Sequence, residues 1–381
     1  MNPLPEKLNQ GRNVPDVLIV GAGIFGLWAA RHAIMAGKRV LVLDRGRAGD
    51  GASGGFLGAL MPHMPDRWNA KKQFQFEALT SLPDAVAALE ADTGLACGYR
   101  RCGRLIPVLH RDTMGIVERR SGGAREYWAG RFRLEHVTPA PGNAGAGWPD
   151  ARQAPFGMQF DDLSARVDPR AYLASLRAFV AAKGELREGV EAVRLEPGRA
   201  VLADGSAIEA GEIVVAAGWR AYELLQPFMS EMAIEAGGAI GRGVKGQAVL
   251  VHHTHGDDLP ILYADGTYVV PHAGNRVAIG STARDEWDHA APEAFDPGDM
   301  GFYERALELV PALRDAPILE RWANVRPRNM LAQTRHEPFM GPVPGHEWLS
   351  ARIGGFRIGM AVGHMESDAT PLARPRVSHL K

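Results

Sequence analysis

The sequence predicts an α/β fold, and three observations predict it. Val17 to Val20 form a continuous apolar, β-branched run; a turn follows with the spacing G-x-G-x-x-G; and a second apolar run, Val40 to Leu43, ends in Asp44. Unbroken β-branched runs suit parallel strands covered on both faces. Between them, Ile24 to about Ala36 reads as a helix stopped by Gly37. Each glycine has a distinct task. Gly21 makes the tight turn, Gly23 lets the backbone approach a pyrophosphate at the helix N-terminus, and Gly26 lets helix and strand pack closely. Asp44, eighteen residues beyond Gly26, is placed to accept from ribose hydroxyls. Strand, turn, helix, strand and acid in that order define a Rossmann-type dinucleotide site, without separating FAD from NAD.

Composition bounds the rest. A chain of 381 residues is long enough for two or three domains, and 46% apolar with 23% charged residues is ordinary globular composition. A formal charge of −1 gives no reason to expect nucleic acid or a membrane surface as partner. Two cysteines, Cys97 and Cys102, are too few for a disulfide framework and suggest a reducing, cytoplasmic setting. The N-terminal stretch MNPLPEKLNQGRNVPD lacks an apolar h-region, and no apolar stretch reaches spanning length.

Past Asp44, the segment RGRAGDGASGGFLGAL carries Gly51, Gly54, Gly55 and Gly58 around Ala52 and Ser53. Such a block is either a flexible loop or a backbone-rich turn held close to the same ligand. Here the chain resembles the family of FAD-dependent D-amino-acid, glycine and sarcosine oxidases, in which a G-x-S-x-x-x-x-G-like segment follows the second strand and wraps the cofactor. The resemblance implies FAD held without a covalent bond. It places Ile24, Phe25, Arg45, Ala52, Ser53, Gly58, Ala59 and Leu60 against the cofactor, beside the motif glycines and Asp44.

Further along, Asn69 to about Glu90 reads as a helix with a boundary or kink at Pro83. Between Arg100 and Arg133 nine arginines face three acids, either a solvated face or an anion-binding surface. Asp168-Pro169 opens a helix that Gly184 closes. By resemblance, the strand that follows brings Ala192 to the adenine, and the segment VVAAG brings Ala217 and Gly218 close to the cofactor. KGQAVLV and YVVPHAGNRVAIGST are strand-rich, with a hairpin turn at Gly274-Asn275. His252, His253, His255 and His272 lack a partner set with metal-ligand spacing, so no metal is expected.

The closing block carries substrate chemistry by resemblance. WANVRP resembles the family's W-x-G-x-R-P and matches Arg326 to the arginine that clamps a substrate carboxylate. A guanidinium suits that task because its planar fork meets a carboxylate with two parallel hydrogen bonds. GGFRIGMA resembles the element beneath the flavin ring. It implies cofactor contacts from Gly354, Gly355, Phe356, Arg357, Ile358, Gly359 and Met360, with Arg357 as a second substrate arginine. Two positions depart from the pattern. Asn324 stands where the motif has glycine, and Gly355 where glycine-oxidising relatives often have histidine.

The expected architecture is a discontinuous FAD domain, residues 1–80, 160–225 and 320–381, and a substrate domain, 81–159 and 226–319, built on an antiparallel sheet. The expected activity is oxidation of an amine or amino acid by hydride transfer to flavin, with dioxygen or another acceptor and a capacity to oligomerise left open. Two alternatives stand beside it: an NAD-dependent dehydrogenase, and a flavin-binding protein without oxidase activity that serves as a subunit. The glycine block and GGFRIGM have no task in the first.

Overall fold

The computed structural model describes residues 14–138, 147–235, 237–332, 337–354 and 359–365. Two sheets organise them. A six-stranded sheet runs in the order Phe339–Val343, His346–Ile353, Glu212–Val215, Val17–Val20, Val40–Asp44, Glu185–Glu188. All neighbouring pairs are parallel except the outer pair Phe339–Val343 with His346–Ile353. Strand alternation sends Val17, Ile19, Val40 and Val42 to one face, against the helices Ile24–Met35, Ala70–Thr93 and Pro169–Lys183. Leu18, Val20, Leu41 and Leu43 go to the other, against the three-stranded meander 192–209 and the helix Ala221–Met229. This is the doubly covered sheet that the unbroken apolar runs call for.

The second sheet has eight strands, in the order Ile318–Asn329, Gly241–His252, Arg276–Gly280, Thr267–His272, Ile261–Ala264, Arg104–Pro107, Met158–Asp161, Leu134–Val137. Its pairs are antiparallel except Ile261–Ala264 with Arg104–Pro107. Gly274 and Asn275, at φ +77° and +57°, turn the hairpin between Thr267–His272 and Arg276–Gly280. One face packs on the helix Gly301–Leu309; the other, through Ala248, Tyr268 and Ala278, meets Phe56 and Leu57 of the glycine-rich block.

Several of the expected domain limits fall inside elements of the two sheets and their helices. Residue 320 falls within Ile318–Asn329, which pairs with Gly241–His252 along its length, so the nucleotide sheet resumes only at Phe339. Residues 80 and 225 fall inside the helices Ala70–Thr93 and Ala221–Met229, both packed on the nucleotide sheet. Residue 159 falls inside a substrate-sheet strand, Met158–Asp161.

Local chemistry explains several helix ends. Asn69 accepts from the Lys72 amide, Asp168 accepts from the amides of Arg170 and Ala171, and Gly94 closes its helix in the left-handed conformation. Pro83 does not break the helix Ala70–Thr93. Lacking an N–H, it leaves the Leu79 carbonyl one turn back unserved, and Arg101 donates to that oxygen at 3.1 Å. Other arginines of the 100–133 cluster are likewise consumed by the fold. Arg104 forms a buried ion pair with Asp161 at 2.7 Å, Arg120 reaches Asp66 and Gln159, and Arg133 pairs with Asp162.

Candidate active site

A cleft of about 1190 Å³ runs between the two sheets, from Asp44 and Ala192 at one end to Arg326 and Met360. That exceeds the roughly 300–1,000 Å³ of ordinary small-molecule sites and suits an extended dinucleotide. It opens where the strand order reverses, between Val17–Val20 and Glu212–Val215, the place such sheets bind nucleotides.

Two of the three motif glycines, Gly21 and Gly26, are sterically required. Gly21 has φ +107°, and a Cβ there would lie 2.5 Å from the Ala216 carbonyl oxygen. A Cβ on Gly26 would lie 1.8 Å from the Gly21 oxygen. Gly26 itself does not line the cleft; it sets how closely the helix Ile24–Met35 approaches its strand. Asp44 Oδ2 accepts from the Ala22 amide at 2.7 Å and Oδ1 from the Gly46 amide at 2.9 Å. Burial pushes its carboxyl above the usual range, opposed by those two amides.

The glycine-rich block folds over this turn. Gly49 donates its amide to the Ala22 carbonyl at 3.0 Å, and Ser53 Oγ accepts from the Ile24 amide at 3.1 Å. Gly54 and Gly58 are needed because a Cβ would lie 2.4 Å from the Gly49 oxygen and 1.9 Å from the Val167 oxygen, respectively. His272 hydrogen-bonds the Phe56 carbonyl at 2.8 Å, and burial lowers its pKa to about 4, so the ring is neutral and donates. Among the described residues no group of three or more His, Cys, Asp or Glu is arranged to hold a metal ion.

On the side of the eight-stranded sheet, Trp322, Asn324 and Arg326 project from one face of an edge strand. The Trp322 ring lies against Gly55, where a Cβ would come within 3.2 Å. Arg326 extends across Gly246, whose missing side chain makes room: a Cβ there would lie 2.6 Å from the guanidinium. Arg326 donates to the Thr282 carbonyl at 2.5 Å and to Ser281 Oγ at 3.3 Å, which fixes the guanidinium plane at the cleft wall.

Of the residues the sequence singled out, Gly21, Gly23, Ile24, Phe25, Asp44, Arg45, Ala52, Ser53, Gly58 and Ala59 line the cleft from the nucleotide side. Ala192, Ala217, Gly218, Arg326, Gly354, Gly359 and Met360 also line it. Leu60 does not: alternation along Ala59–Leu60 turns it into the core, with no exposed surface. Gly355, Phe356, Arg357 and Ile358 lie outside the described residues. Sequence reasoning missed Arg170, Tyr268, Ser281 and Arg352, all cleft-lining. Arg170 was hidden as a helix-opening residue, yet it holds Glu320 at 2.7 Å and the Gly54 carbonyl at 2.9 Å. Ser281 sat within a quoted motif, IGST, that signalled strand rather than site.

A glycine-cradled cleft at the switch point of a parallel sheet, beside a second, largely antiparallel sheet, is the architecture of a dinucleotide-binding protein. Residues 16–367 match the family described as FAD dependent oxidoreductase, and the chain belongs to that family. The glycine oxidase of Pseudomonas aeruginosa is 27% identical over 364 residues, spanning 91% of each chain. Among solved structures, the glycine oxidase of Geobacillus kaustophilus superposes with a TM-score of 0.79 at 21% identity, over 95% of this chain and 96% of that one. The iminodiacetate oxidase of Chelativorans sp. BNC1 superposes with a TM-score of 0.77 at 24% identity, over 92% and 93%. The cofactor is therefore FAD, which sets aside the NAD-dependent alternative.

Proposed function

We propose that the protein oxidises the amine of a small amino acid or N-substituted glycine, with Arg326 binding the substrate carboxylate. The observation that carries this reading is the placement of Arg326: a cleft-lining guanidinium laid over Gly246 and fixed at the wall by Thr282 and Ser281. Relatives named for glycine and iminodiacetate oxidation support it, since both substrates present a carboxylate beside an amine. Bound FAD would accept the α-hydrogen as hydride, and the protein's part is to hold that hydrogen in reach. Gly21, Gly23 and the helix N-terminus hold the pyrophosphate, Asp44 the ribose, and Ala192 the adenine end. Among the described residues no helix is long and apolar enough to cross a membrane. A cytoplasmic setting is part of the proposal and rests on the two free cysteines.

Anaerobic mixing of the holoenzyme with glycine, sarcosine, iminodiacetate, larger amino acids and amines lacking a carboxylate tests the reading. Bleaching of the flavin absorbance by the small carboxylated amines is expected. A flavin that none of them bleaches would make the chain a flavin-binding protein without this activity.

A further inference from the structure

One of the two positions at which the chain departs from its family's motifs makes a contact that the motif's glycine cannot. Asn324 is only 6% exposed, and its carboxamide has two backbone partners. Oδ1 accepts from the Val325 amide at 2.7 Å, within its own strand. Nδ2 donates to the Asp50 carbonyl at 3.2 Å, across 274 residues of sequence. Asp50 belongs to the glycine-rich loop, which Gly49 and Ser53 fasten to the dinucleotide turn on its other side. Both Asp50 and Asn324 line the cleft.

We propose that Asn324 is a positioning residue for the cofactor, tying the Asp50 carbonyl of the glycine-rich loop to the edge strand that carries Arg326. A loop this rich in glycine loses much conformational freedom on ordering. Whatever holds it in the binding-competent shape before FAD arrives removes that cost from the binding step. Gly49 and Ser53 hold the inner side of the loop; Asn324 holds the side that faces the substrate sheet. Gly246 stands directly across the ladder from Asn324, so no neighbouring side chain on that strand competes for the Asn324 carboxamide.

The test compares FAD dissociation constants of wild type, Asn324→Gly and Asn324→Asp, each stripped of flavin and titrated by flavin-fluorescence quenching. Asn324→Gly adds no bulk and restores the family's residue, so it should fold. Asn324→Asp keeps an oxygen for the Val325 amide and loses the donor to Asp50. Both variants should bind FAD about 5- to 30-fold more weakly, the weight of one or two buried hydrogen bonds. Loops open without unfolding the sheets beneath them, so apo-protein melting temperatures should move by less than about 2 °C. Amide exchange at residues 49–55 of the apo-protein should quicken. The proposal is overturned if both variants hold FAD as tightly as wild type. It is equally overturned if affinity falls only alongside a large drop in apo-protein melting temperature, with loop exchange unchanged.

Discussion

Ser53 Oγ accepts the backbone amide of Ile24 at 3.1 Å, so the loop that follows the second strand caps the helix that precedes it. First-turn helix amides have no partner within the helix, and a hydroxyl supplied from another segment serves as well as an ordinary N-cap. The contact joins two stretches that must both face the cofactor. Ser53→Ala should weaken FAD binding about 3- to 10-fold, in line with about 1 kcal/mol for a lost cap. Titration of the apo-protein with FAD measures this, and an unchanged dissociation constant would refute it.

Gly26→Ala should yield protein without flavin. Its Cβ would sit 1.8 Å from the Gly21 oxygen, so the helix must shift away from the strand that it seats. Gly37→Ala is the control: nothing lies within 4 Å, and only its φ of +77° opposes the change. That substitution should cost about 1 kcal/mol of stability and leave the flavin in place. The ratio of visible to protein absorbance after purification separates the two.

Arg326→Ala should lower kcat/KM on carboxylated amines by about 10- to 10³-fold, the weight of one or two charge-assisted hydrogen bonds. Arg326→Lys should recover part of that, because an ammonium keeps the charge without the planar fork. Flavin content should stay unchanged, and amines lacking a carboxylate should lose little. Equal loss on both substrate classes would make Arg326 a scaffold residue.

Stability should fall on mild acidification. Burial holds His32, His272 and His364 at a pKa of about 4, against about 6.5 when unfolded. The unfolded chain therefore takes up protons that the native state refuses. Their contribution is complete above about pH 6.5 and is lost as pH falls toward 4. Each histidine contributes a slope of up to about 1.4 kcal/mol per pH unit in that window. Urea midpoints at pH 7.5 and 5.0 measure it, and His272→Gln should flatten the dependence. Equal midpoints at the two pH values would contradict the assignment.

Acid precipitation should release all the flavin into the supernatant. Burial raises the thiols of Cys97 and Cys102 to about 12 and about 11, and neither residue lines the cleft. A thiol kept protonated and away from the cofactor forms no bond to it. Yellow colour retained in the pellet would show a covalent link.

The sequence by itself determined what neighbouring residues decide. The turn at Gly21, the cap at Asp168 and the hairpin at Gly274-Asn275 follow from steric and hydrogen-bonding rules acting over a few positions. Unbroken apolar runs likewise disclosed the doubly covered nucleotide sheet. Tertiary structure decided everything that joins distant segments. It alone sent Leu60 inward, served the Leu79 carbonyl with Arg101, and kept Ile318–Asn329 in the substrate sheet. It also set Asn324 against Asp50, a contact no local pattern announces. The physical reason is that a side chain's task depends on which donors and acceptors the fold brings within about 3 Å of it. For a residue whose partner lies hundreds of positions away, only the folded chain makes that choice.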